Sequence, residues 1–549
     1  MKKQRILAWL LAASMTLVCT GCGGGAASVS TASDGGSAGK PASVVSGGGG
    51  SAAPAAEQQS RTTDKTELVV GADYEPTDLQ YYTNATDSNK IVNAAIYDTL
   101  FTFENGEIVP SLATGYEFAG DDGLDLTITL KEGITFSNGD PLTAEDVLFT
   151  MQMNLENMGT ANRFDAVDIE NSKAVDDHTV LLRLHQYDNR LLPYLTGEYG
   201  QILDKKYVEE KGADEAIGQH PIGTGPYVFS QWDVGTSIVL TKNENYWGDA
   251  SNQSFESIRY MFYADDSIRA LELEQGNLDI ALLNTSDSIT RVSGEGDQGL
   301  AVTSIPLTKV GYFCMATIID DDTFQDANKR LAIAYALDIP AIVNTVAGAT
   351  AEAATSFIPS GCVGYVDESY TYDPEKAKEY LQKAGCPDGF EFTMEVANNQ
   401  QMNLELAEAM QAYLSAVGIT MNIQAEDFGT QFGNMLAGTQ LCSILVGTCN
   451  GDPSMGLSAF QTGSGACIAE NHDEKVVELL AACRTEKDPE IRKQDLADLQ
   501  QYIHDTAYAI PIYEAMYSLG YQTYVQGVEN SNIQGELGFY VTRLSFQKG

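Results

Sequence analysis

Leu126-Thr-Ile-Thr-Leu-Lys-Glu-Gly-Ile-Thr-Phe-Ser-Asn-Gly-Asp-Pro-Leu-Thr-Ala-Glu-Asp-Val-Leu-Phe149 carries three structural signals in one stretch. Leu126, Ile128 and Leu130 alternate with Thr127, Thr129 and Lys131, the period of a half-buried strand, and the alternation reaches back to Leu124. Asn138-Gly139-Asp140 makes a turn. Thr143 then offers a capping hydroxyl ahead of Ala144-Glu145-Asp146, whose acids suit the positive end of a helix dipole, so a helix is predicted to open there.

The same punctuation recurs outward from this stretch. Leu68-Val69-Val70-Gly71 is a short strand. Asp373-Pro374 opens a helix with Pro at its first position; Ala377, Tyr380, Leu381 and Ala384 form its apolar stripe, and Gly385 ends it. Another helix is predicted from Asn403 to Val417, stopped by Gly418 and followed by a strand from Ile419 to Gln424. Asp488-Pro489 opens a third, carrying Ile491, Leu496, Leu499 and Ile503. Strands alternating with such helices point to an α/β protein, with sheets covered by helices in more than one lobe.

The N-terminus reads as an address label. Lys2, Lys3 and Arg5 precede a short apolar run from Ile6 to Val18, and Cys19-Thr20-Gly21-Cys22 closes it with small residues before a cysteine. This is the layout of a secretory leader over residues 1–21. It resembles a bacterial lipoprotein signal, with Cys22 as the acylated first residue of the mature chain; Cys19 stands where Leu or Val is commoner. Residues 22–65 are rich in Gly, Ser, Ala and Thr and have little to bury, so they read as a flexible tether with a typical reach of roughly 35 Å.

Composition excludes several classes. The formal charge of −44 argues against binding DNA or RNA, whose phosphates would be repelled. No apolar run beyond the leader approaches the ~18 residues of a membrane helix. Five histidines show no metal-ligand spacing, and no Gly-x-Ser-x-Gly elbow occurs beyond residue 65. Gly223-Thr224-Gly225-Pro226 lacks the Gly-Lys-Ser/Thr of a phosphate loop and reads as a tight turn before a strand. No enzyme activity, cofactor or metal is expected. Beyond Cys19 and Cys22 the cysteines are Cys314, Cys362, Cys386, Cys442, Cys449, Cys467 and Cys483, an odd number without a Cys-x-x-Cys pair. Cys449 with Cys467 is the first pairing to test.

The order of motifs resembles the bacterial extracellular solute-binding proteins of family 5, the dipeptide-, oligopeptide- and nickel-binding receptors of ABC importers. The 126–149 stretch is similar to the family signature. Pro221-Ile-Gly-Thr-Gly-Pro-Tyr227, Asn245-Tyr-Trp-Gly248, Leu273-Glu-Gln-Gly-Asn-Leu-Asp279, Arg330-Leu-Ala-Ile-Ala-Tyr-Ala-Leu-Asp338, Tyr372-Asp-Pro-Glu-Lys-Ala377 and Gly451-Asp-Pro453 follow in the family's order. The resemblance covers about Leu68 to Met516. It implies a two-lobed periplasmic-binding-protein-like α/β fold with a hinge and an extra subdomain on the first lobe. Residues 66–105, 222–308 and 508–549 would form lobe I, 106–221 its subdomain, and 309–507 lobe II. The chain would cross near Lys309 to Tyr312 and near Ala509 to Tyr513, both read as short apolar strands, and closure about this hinge would bury the ligand.

The resemblance also implies where a ligand would sit. In peptide-binding members the loop ending in Asp-Pro carries an acid that pairs with the peptide's ammonium. Here Cys449 stands at that place, within Thr448-Cys449-Asn450-Gly451-Asp452. Either Asp452 or another acid takes the role, or the ligand has no free ammonium; Asp452 also reads as an Asp-Pro turn residue. Tyr82, Thr83 and Asn84 fall where first-lobe contacts occur, and Asn398 and Phe313 are further candidates. The expected partners are a short peptide or small molecule, ABC permease subunits, and a membrane reached through the lipid, with a monomeric receptor. An oligosaccharide, a modified peptide or a metal chelate is the next ligand class, and a sensory receptor of the same fold the alternative role.

Overall fold

The computed structural model describes residues 61–549 other than 83–86, 105, 121, 158–159, 318–320, 399, 437–438, 450, 461–472 and 532–538. Cys22, Thr83, Asn84, Asn450 and Cys467 therefore lie outside the described residues, as do the leader and nearly all of the tether.

The opening stretch folds as a strand, Asp125–Leu130, and a helix, Ala144–Glu156. Its cap is built from the acid side: the Asp146 carboxylate accepts the Thr143 N–H at 2.8 Å and the Thr143 hydroxyl at 2.9 Å. The helix Pro374–Lys383 starts as read, with the Asp373 carboxylate accepting the Lys376 N–H. So does Pro489–Thr506, capped by Asp488. The next prediction is shifted: the helix spans Gln401–Ser415 and the strand after it Thr420–Glu426. Gly418, at φ +92°, takes the left-handed turn between them.

A nine-stranded mixed sheet runs through the molecule. Across it the order is Cys442–Thr448, Leu300–Met315, Ala509–Gln522, Ile280–Leu283, Glu67–Ala72, Ser257–Phe262, Ser237–Lys242 and Tyr227–Asp233, with Ala351–Ala353 pairing beside Ala509–Gln522. The two crossings are not short strands. They are the middle of Leu300–Met315 and the first half of Ala509–Gln522, paired antiparallel from Leu300 opposite Gln522 to Cys314 opposite Ala509. The register shifts between Pro306 and Val310 and again between Gly311 and Tyr312, so the ladder is interrupted where the chain passes between lobes. Pro306 cannot donate to the ladder, and the Tyr513 ring lies where a Cβ on residue 311 would stand, so only glycine fits there.

Apolar burial follows the same division. One cluster gathers Leu68, Leu126, Phe164, Ile258 and Tyr521. Others gather Phe313, Leu406 and Ile512, and Tyr312, Leu480 and Leu499. Within the first body, residues 113–184 add a four-stranded antiparallel sheet. Each body therefore has its own core, and the long strand pair links them. Among the described residues no helix is long and apolar enough to cross a membrane.

Candidate functional site

The Asp-Pro loop leaves the end of Cys442–Thr448, which pairs with Lys309–Met315 of the long strand. The Cys449 N–H donates to the Thr308 carbonyl at 2.8 Å, so residue 449 is held at the crossing itself. Gly451 turns with φ +79°, and a Cβ there would run into the Phe103 ring from the other lobe. Thr448 is half-buried and Cys449 fully buried.

Asp452 is occupied by its own lobe. One carboxylate oxygen accepts the Ser454 N–H at 2.9 Å and the Ser454 hydroxyl, capping the short helix Pro453–Leu457. The other pairs with Arg492, whose Nε is anchored on the Cys483 carbonyl at 2.8 Å. With its charge already met by Arg492 and 2% of the residue exposed, Asp452 builds the loop and is not available to a ligand cation.

Around Cys449 the structure gathers residues that no sequence motif marks. The Cys449 thiol shares a hydrogen bond with Cys362; that bond and burial push the Cys449 thiol well up, while the same bond lowers Cys362. The pairing expected with Cys467 cannot be placed, but the neighbour of Cys449 among the described residues is Cys362, brought there by the loop after Phe357. The Tyr312 hydroxyl fixes this loop by donating to the Phe357 carbonyl at 2.7 Å.

Glu514 completes the group. It stands on Ala509–Gln522, opposite Val310 on one side and Glu352 on the other, and is 8% exposed. Its oxygens accept the Ser360 N–H at 3.1 Å and the Ser360 hydroxyl at 2.9 Å. It acts electrostatically on both Cys362 and Tyr312. Buried Asp279 and Asp188 hold a cation, Lys65 at 2.6 Å and Arg190 at 2.8 Å, whereas among the described residues buried Asp146 and Asp204 are met only by backbone and side-chain donors within the first lobe. Among the described residues no lysine, arginine or histidine forms an ion pair with Glu514. A lone acid inside the apolar run Ala509–Tyr517 was the only sequence signal for it.

The remaining candidates are dispersed. Tyr82 is half-buried in the first lobe, edge-on to Tyr81 at 5.1 Å, and burial, then Asp214 and Asp78, push its hydroxyl up to about 12. Asn398 is exposed at the end of Glu391–Ala397, its N–H on the Glu426 carbonyl. Phe313 is fully buried in the second lobe's core, because the strand turns odd-numbered residues away from the Cys449 side. It packs the lobe and presents no ligand surface. Among the described residues no group of three or more His, Cys, Asp or Glu is placed to hold a metal ion.

This arrangement of two cored lobes, two linking strands and a loop closing on the crossing can be set beside known proteins. The model of the bacterial extracellular solute-binding proteins, family 5, middle part, matches residues 107–466. The chain belongs to this family. It is a family of solute-binding proteins rather than enzymes. The chain is 26% identical over 451 residues to a dipeptide-binding protein of Escherichia coli K12, covering 76% of this chain and 83% of that one. It is 25% identical over 408 residues to the glutathione-binding protein GsiB of Shigella flexneri, covering 74% and 76%. Its fold matches the crystal structure of the ABC transporter substrate-binding protein CtaP of Listeria monocytogenes with a TM-score of 0.77 at 21% identity, over 88% of this chain and all of that one.

Proposed function

We propose that the chain is the capture subunit of an ABC importer, taking a small extracellular solute between its lobes and handing it to a membrane permease. The carrying observation is the linker itself. Both strands that join the lobes run past Cys449 and Glu514, so a ligand held there touches the hinge and favours the closed arrangement over the open one. Lobe I is assigned to 66–105, 222–308 and 508–549, its subdomain to 106–221, and lobe II to 309–507, with Ala509 to Tyr513 at the start of the last lobe I segment packed into the second lobe's cores as the chain crosses.

A short peptide is the favoured solute. The relatives named above bind a dipeptide and glutathione, and both ligands carry an ammonium. With Cys449 in place of an acid and Asp452 committed to Arg492, Glu514 is the carboxylate we assign to that ammonium. A desolvated ammonium requires such a partner. Tyr82, Thr83, Asn84, Asn398, Thr448, Cys449 and Asn450 are assigned to the cleft around it. The leader at 1–21, the lipid on Cys22 and the tether at 22–65, whose last residues dock on the first lobe through Thr63 and Lys65, would hold the receptor on the outer face of the cytoplasmic membrane as a monomer without catalytic activity.

The test is mass spectrometry of the solute released from purified, denatured protein, followed by thermal-shift titration with the solutes found. Recovery of peptides that raise the melting temperature supports the assignment. A protein that releases no peptide and shifts with none of any length refutes it.

A further inference from the structure

The two lobes meet at a second place, remote in sequence from the linking strands. Tyr187-Asp188-Asn189-Arg190 leaves the strand Thr179–Leu184 in the subdomain of the first lobe. Cys483–Lys487 joins the helices Glu474–Thr485 and Pro489–Thr506 of the second. The last carbonyls of a helix have no intrahelical donor and must find one elsewhere. Here Asn189 supplies it from the opposite lobe. Its backbone N–H donates to the Arg484 carbonyl at 2.8 Å, and its side-chain amide reaches the carbonyls of Glu486 at 2.7 Å, Arg484 at 3.1 Å and Cys483 at 3.3 Å.

Charge reinforces this cap. Arg484 donates back across the junction to Asp188 at 2.6 Å and to Asp165 at 3.2 Å. Asp188 is at the same time held by Arg190 at 2.8 Å and Nε at 3.0 Å, so one buried carboxylate is shared by an arginine from each lobe. The Lys487 ammonium lies 4.9 Å from the Tyr187 ring. Every link in this set is polar. Phe164, Val180, Leu182 and Leu191 belong to the first lobe's core, whereas Leu480, Cys483 and Leu496 belong to the second's. The contact can therefore separate without opening either core, unlike an apolar interface, whose separation exposes buried surface.

We infer that Asp188-Asn189-Arg190 and Cys483–Lys487 form a clasp that engages when the lobes close and sets how long a captured solute is retained. The inference rests on the hinged-receptor reading above. The clasp touches none of the residues assigned to the ligand and adjoins their loop only through the Cys483 carbonyl, which also accepts from Arg492, so it acts on the lobes and not on ligand contacts. Its loss lowers the stability of the closed state and leaves the open state's encounter with solute unchanged.

The test uses the full mature chain in two arms. Small-angle scattering of the solute-free protein needs no ligand: Asn189→Ala and Arg484→Met are each expected to increase the radius of gyration, and 1 M salt is expected to do the same to the unsubstituted protein. Arg484→Lys, which keeps the charge, is expected to recover part of the compaction. In the second arm an equimolar pool of dipeptides is the probe, and Asn189→Ala is expected to speed dissociation about tenfold with an unchanged association rate. Identical scattering in both variants and in salt, together with unchanged dissociation, overturns the clasp. Should no dipeptide bind the unsubstituted chain, the peptide reading fails, and the scattering arm still decides the clasp. The salt measurement keeps that decision open even where a variant fails to fold.

Discussion

Replacing Glu514 with glutamine removes one negative charge from the junction of the lobes and leaves the shape of the side chain unchanged. The amide oxygen can still accept from the Ser360 N–H and hydroxyl, which now take up both carboxylate oxygens at 2.9–3.1 Å. Loop 357–364 should therefore stay in place. What is lost is a charged partner for a ligand cation in a residue only 8% exposed. Hydrogen bonds to charged groups contribute about 1.5–3 kcal/mol. At 1.4 kcal/mol per decade this corresponds to roughly 10- to 150-fold weaker binding of a peptide with a free N-terminus. The ligand-free protein should be no less stable, since a buried carboxylate without a cation is a cost in the empty site. Calorimetric titration with a dipeptide and its N-acetylated form, on both proteins, measures this. The unsubstituted protein should prefer the free amine, and Glu514→Gln should bind the two forms alike. Equal affinity of both proteins for the free dipeptide would refute the assignment of Glu514.

Three further outcomes follow from the same geometry. Arg492→Met leaves the 2%-exposed Asp452 without its cation, and breaking such a pair costs about 3–5 kcal/mol, to be read as a lower denaturant midpoint. Burial raises the Asp188 carboxyl, but Arg190 and Arg484 more than reverse this and hold it below the usual aspartate range. Its contribution is therefore complete above about pH 4 and lost as pH falls through the depressed value; unfolding free energies between pH 5 and 2 should show the loss, and Asp188→Asn should flatten it. At neutral pH iodoacetamide should label Cys362 ahead of Cys449, Cys442 and Cys483, because the last three thiols are raised by burial or by the bond to Cys362, Cys483 to about 12. Peptide mapping after brief treatment checks the order, and Cys449 labelled first would contradict the arrangement.

Local structure was legible wherever one residue's chemistry decides it. Asp373-Pro374 and Asp488-Pro489 start helices because a carboxylate caps the first turn and proline has no N–H to waste there. Gly223-Thr224-Gly225-Pro226 bends the chain just ahead of the strand Tyr227–Asp233, and added Cβ atoms at Gly223 and Gly225 would meet the Ile96 backbone. The family resemblance and the two-lobed class were legible in the same way, since they are carried by contiguous motifs.

The solute site was read only in part. Sequence order brought Thr448, Cys449 and Asp452 into view, because they share one loop. It could not show that Asp452 is spent on Arg492, 40 positions away, or that Cys449 meets Cys362, because such pairings depend on how helices and loops pack. Nor could it show that the crossings lie within 16- and 14-residue strands paired to each other. The sequence by itself determined the proline-led helix starts, the acidic character of the chain, and its family, since capping, charge and motif order are properties of neighbours along the chain. Only the tertiary structure decided that the acid standing at the crossing, Glu514, has no cation there among the described residues, and which residues of the two lobes touch. Burial and ion pairing are set by partners hundreds of residues distant, as Arg484 and Asp165 are, 319 positions apart.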